Sequence, residues 1–105
     1  MNLDFRKFCF AVLIYIVAFN TTISSVHSDE LKKAHDRYRM LHSEGNYKEA
    51  TKFARSALDL AEKKVGPDHL EVAIWLNNLG LLYESQDRYA EAELLLKRAL
   101  LIREK

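Results

Sequence analysis

His35, His42 and His69 are the residues of this 105-residue chain that invite a search for ligand or acid–base chemistry. His35 and His42 stand seven residues apart, so on a helix they face the same way, while His69 lies beside the chain's only proline. A metal site needs three or four ligands at short, fixed spacings, and no second ligand cluster accompanies these histidines. There is also no HExxH, no glycine-rich phosphate loop and no nucleophile motif. Surface histidines are the expectation, and no catalytic, cofactor-binding or metal-binding residue is assigned. Tyr47 and Tyr89 read as packing residues at helix starts. Trp75, among Val72, Leu76 and Leu79, reads as part of an apolar helix face.

Two other patterns suit binding rather than catalysis. Lys32, His35, Arg39 and His42 follow one helical stripe, which could attract acidic side chains. The alternative is a solvated basic face balanced by acidic residues elsewhere. In "AELLLKRALLI", Leu94, Leu95, Leu96, Leu100, Leu101 and Ile102 surround most of a helix, because successive residues point about 100° apart. Leu96, Ala99 and Ile102 are expected inward, leaving Leu94, Leu95 and Leu101 as an association face. With 16 basic and 15 acidic residues, the chain lacks the basic excess of a nucleic-acid binder.

The elements that must position these residues begin after a distinct leader. Arg6 and Lys7 precede an apolar run from Phe8 to Phe19, and a polar stretch ends in Val26-His27-Ser28. This is the layout of a secretory signal, residues 1–28, cut after Ser28. The alternative is an uncleaved anchor over residues 8–26, since Ile23 and Val26 extend the apolar span toward the roughly 20 residues that a crossing needs. Cys9, the one cysteine, reads as filler in the apolar run. Export to the extracellular space or periplasm follows from cleavage, and membrane attachment follows from the anchor.

Beyond the leader, helix breakers are few and concentrated. In "KKVGPDHLEVA", Gly66 follows the cationic end Lys63-Lys64, where a positive-φ residue can close a helix. Pro67 prevents continuation. Asp68 and Glu71 form an acidic variant of the capping box for the next helix. Softer breaks occur at Gly45-Asn46, where Asn46 and Glu49 make another cap pair, and at Gln86-Asp87, where Asp87 is the expected cap. The result is four helices, at about 30–44, 47–64, 69–86 and 88–104. No stretch alternates as a useful strand.

A shift of 42 residues overlays the two halves, with 8 identities in 33 positions. Tyr47 meets Tyr89, Ala50 meets Ala92, Ala57 meets Ala99, and Leu58 meets Leu100. The alanines fall where two helices must approach closely, so the unit is a repeated helical hairpin. On these residues, "LNNLGLLYESQDRYAEAELLLKRAL" resembles a tetratricopeptide repeat. Leu76, Leu79, Gly80, Tyr83, Tyr89, Ala92, Leu96 and Ala99 stand at its packing positions. The "GPDHLEVA" linker and the 42-residue period resemble the kinesin-light-chain type. The first repeat departs from the pattern at Arg37 and at Tyr38, which occupies the small position held by Gly80 in the second. That is the degeneracy of a terminal repeat.

The resemblance implies an all-α domain over 29–105, two tandem hairpins at about 31–71 and 73–105, forming a solenoid fragment. It also implies a non-enzymatic protein-interaction module whose concave groove holds a peptide. By position the groove would present Lys32, His35, Arg39 and His42, then Ile74, Asn77, Leu81, Glu84 and Ser85, with Asn78 alongside. The two asparagines would bond a peptide backbone, each offering donor and acceptor. Lys32 and Arg39 would attract acidic side chains. The expected partner is therefore a protein or peptide, acidic in character, with no cofactor and no nucleic acid. Self-association through the last helix is expected too, since two repeats fall short of the usual three. A self-stacking structural unit and a part of a longer array remain the alternatives.

Overall fold

The computed structural model describes residues 26–105, which form four helices. Helix α1 is described over 26–43. Then follow α2 (Tyr47–Val65), α3 (Leu70–Glu84) and α4 (Tyr89–Glu104). The expected helices are all present, with ends shifted by a few residues. The leader's apolar run lies outside the described residues. Among the described residues, no helix is long and apolar enough to cross a membrane.

The two short turns are the same device used twice. After α1, the Gly45 amide donates to His42 O and the Asn46 amide to Leu41 O. After α3, the Asp87 amide donates to Glu84 O and the Arg88 amide to Tyr83 O. This paired pattern closes a helix around one left-handed residue, and Gly45 (φ 75°) and Asp87 (φ 60°) supply it. Asp87 is therefore not the cap of α4, as its residue type suggested. The N-cap is Arg88, which makes no side-chain capping bond. Asp87 instead accepts from the Tyr89 hydroxyl at 3.0 Å, which raises the Tyr89 pKa above its ordinary value. The first turn of α4 is held by Arg88, whose Nε donates to Glu91 at 2.8 Å. That bond lowers the Glu91 pKa.

At α2 the expected cap forms, the Asn46 side chain accepting from the Glu49 amide at 3.4 Å. The linker to α3 corrects a second expectation. The cap of α3 is His69, whose Nδ1 accepts from the Glu71 amide at 3.0 Å. Asp68, one residue earlier, faces Lys105 at 3.1 Å. Gly66 (φ 89°, ψ 165°) occupies a backbone region that is essentially glycine-only.

The core lies between the helices and is built from small residues on α2 and large ones on α3. Ala50, Ala54, Ala57 and Ala61 are fully buried, as are Val72, Ala73 and Leu76. Small side chains on α2 let neighbouring helices approach on both of its flanks. Helix α3 packs against α2 on one side and α4 on the other. Across the second contact, a Cβ built at Gly80 would meet Leu96 Cγ and Cδ2 at 2.8 Å, so glycine is required for that approach. Thr51 fixes the first contact in register: its hydroxyl donates to Tyr47 O at 2.7 Å and accepts from Gln86 Nε2 at 2.9 Å. Arg98 ties α4 back to Glu62 at 3.0 Å.

Candidate functional site

Helices α1 and α3 lie side by side and enclose a cleft of about 390 Å³. Lys32, His35 and Arg39 enter it from α1, and Glu71 and Trp75 from α3. This volume is at the small end of ligand sites. Trp75 is nearly buried, as its apolar neighbours implied. The His35 and Tyr38 rings meet it edge-on, both with centroids 5.3 Å away. Tyr38 thus uses the position where the second repeat has Gly80 to fill the gap between α1 and α3.

The charges in the cleft are mixed. Lys64 from the end of α2 reaches Glu71 at 3.9 Å, and Asp29 and Asp36 also line the walls. Among the described residues, neither Lys32 nor Arg39 forms an ion pair within 4.0 Å. The cleft thus holds cationic and acidic side chains together.

The other groove candidates lie elsewhere. His42 sits between Tyr38 (tilted, 5.6 Å) and Tyr47 (edge-on, 5.4 Å), closing the far end of α1 against α2. Asn77 and Asn78 are half-buried on α3. Ile74 and Leu81 are exposed there, so with Leu70 they make an apolar ridge along α3. Ser85 spends its hydroxyl on Leu81 O at 3.0 Å. Glu84 belongs to a different feature, a trough against α4 lined with Tyr89, Glu93, Leu96, Lys97 and Leu100.

On α4, Ala99 and Ile102 are buried as expected. Leu94 and Leu101 are exposed together, at 71% and 61%. Leu95 is a correction: it is half-buried and packs against the core, so it is not part of the exposed face. Leu96 faces Gly80 with one side and the trough with the other. The trough was missed in the sequence, although the 42-residue offset already set Leu96 and Leu100 against Ala54 and Leu58. Among the described residues, no group of three His, Cys, Asp or Glu is placed to hold a metal ion.

The family model for the tetratricopeptide repeat matches residues 39–105. The match starts just past Arg37 and Tyr38, the two positions at which the first repeat departs from the second. No curated protein matches the chain.

Proposed function

Because the chain belongs to the tetratricopeptide repeat family, whose members in general mediate protein–protein interactions, we propose that it binds an extended peptide segment across α1 and α3. The observation that carries this reading is the meeting of Lys32, His35 and Arg39 with Trp75 in one cleft. An acidic side chain of the segment would sit between Lys32 and Arg39, and apolar ones would lie along Ile74 and Leu81. Asn77 and Asn78, between those two, would bond its backbone. The 42-residue spacing of Tyr47 and Tyr89 and the Gly66–His69 linker support the finer kinesin-light-chain-type assignment. Selecting binders from a random peptide library and mapping their amide shifts tests the reading. Shifts should gather on 32–39 and 71–81, and a footprint confined to other helices would contradict it.

A second reading has its own observation. The exposed Leu94, Leu100 and Leu101 favour α4 as an association surface, in the manner of a self-stacking unit. A fully buried leucine is worth roughly 1.5–3 kcal/mol, so covering two gives a substantial drive. The secretory layout of residues 1–28 supports export of either activity. N-terminal sequencing of exported protein should begin Asp29-Glu30-Leu31, and full-length protein retained in membranes would favour the anchor.

A further inference from the structure

The two hairpins treat their second helices differently. On α2, the side bearing Thr51, Ala54, Leu58 and Ala61 lies beneath α3: Thr51, Ala54 and Ala61 are buried, and Gln86 of the α3 turn bonds Thr51. The same side of α4, 42 residues on, bears Glu93, Leu96, Leu100 and Arg103. Among the described residues it is covered only at Leu96, which rests one side against Gly80 and leaves the other open. Leu100 is 55% exposed, and Glu93 and Arg103 are exposed as well. The substitutions are not neutral. Alanines that let α3 come close are replaced by leucine and arginine, and threonine by glutamate. A helix seated as α3 sits on α2 would collide with Leu96 and would bury Glu93 and Arg103. The face suits a partner that meets charge at each end and apolar side chains between.

A second copy of the chain meets that description. Glu93 and Arg103 lie at opposite ends of the stripe, with Leu96 and Leu100 between them. In an antiparallel pair, Glu93 faces the partner's Arg103, and Leu96 faces the partner's Leu100. Both pairings share one midpoint, residue 98, so a single register satisfies them. A two-fold interface makes every such contact twice. The intrahelical pair of Glu93 with Lys97 (2.7 Å) is exposed and leaves carboxylate acceptor capacity for an arginine. Head-to-tail stacking is the poorer match. Glu30, Lys33 and Arg37 of α1 occupy the positions of Val72, Trp75 and Leu79 in α3 and are exposed. Docking α1 onto α4 would set these charges against leucines.

Resting on the reading of α4 as an association surface, we infer that the protein forms a two-fold dimer through this side of α4, in antiparallel register. Charge reversal tests it on the protein as the expressing cell delivers it, by sedimentation equilibrium up to high micromolar concentration. The parent should dimerise. Glu93→Arg and Arg103→Glu should each raise the dimer dissociation constant by about tenfold or more, because each turns two attractive contacts into two repulsive ones. The double variant should return close to the parent. All three should keep the parent's helical circular dichroism, since both residues are exposed. A monomeric parent, unaffected single variants, or a double variant without rescue would overturn the inference. Association lost in Leu94→Glu/Leu101→Glu but kept in Glu93→Arg would overturn it as well, moving the contact to the outer stripe. Peptide binding at Lys32 and Arg39 should be unchanged in the Glu93 and Arg103 variants, so the cleft and the dimer fail or stand separately.

Discussion

Two residues with positive φ show how differently the same backbone demand can be met. Gly66 has open space around the position of a missing Cβ, so Gly66→Ala meets no neighbour. Its φ of 89° and ψ of 165° nonetheless lie where side-chain-bearing residues are strained by about 1–3 kcal/mol. Gly66→Ala is expected to destabilise the domain by that order, read from denaturant unfolding; an unchanged midpoint would mean the linker relaxes. Asp87 is the reverse case. It stands in the turn where Gly45 stands in the first hairpin, at a φ of 60°. Asp87→Gly is expected to raise stability by about 0.5–1 kcal/mol, despite loss of the exposed bond from Tyr89. A lower melting temperature would show that the Tyr89 bond outweighs the strain. Residue type alone marked Asp87 as a cap and Asp68 as another. Both are displaced by one residue, because the turn after α3 needs a left-handed position and His69 can cap in place of Asp68.

At the scale of helices, the small residues set the distances. Gly80 permits α3 and α4 to approach until Leu96 carbons lie 2.8 Å from a built Cβ. Real side chains do not approach so closely, and Gly80→Leu would force the helices apart. Overpacking costs about 1–3 kcal/mol, a large share of the stability of so short a domain. Loss of cooperative melting with reduced helical circular dichroism is expected, and an unchanged melt would contradict this contact. The four helices and their breaks were legible because the glycines, the proline and the cap residues are few and concentrated. Gly80's role was legible because the alanine pairs Ala50/Ala92 and Ala57/Ala99 recur at a fixed 42-residue offset. Leu95 was not. Six apolar residues surround α4, and periodicity cannot say which of two adjacent leucines turns inward. The packing angle against α3 decides that, burying Ala92, Ala99 and Ile102 and carrying Leu95 with them.

Over the described residues, the outer face of α1 is polar and the open side of α4 carries leucines between Glu93 and Arg103, with a mixed-charge cleft between α1 and α3. The basic stripe was legible in the spacing of Lys32, His35 and Arg39. Asp29 and Asp36 interleave with that stripe on α1 itself and were legible by the same spacing, whereas Glu71 was not, because only the fold brings α3 across to the cleft. The peptide-binding claim can be read directly at Trp75, the chain's only tryptophan, which lines the cleft. Its fluorescence should change on titration with a selected acidic peptide. The affinity should fall with added salt, as expected for exposed charges, and should drop by about tenfold in Lys32→Ala/Arg39→Ala with the fold intact. An affinity that neither salt nor the double variant alters, or saturable binding that leaves Trp75 emission untouched, would place the partner elsewhere and contradict the cleft as the binding site.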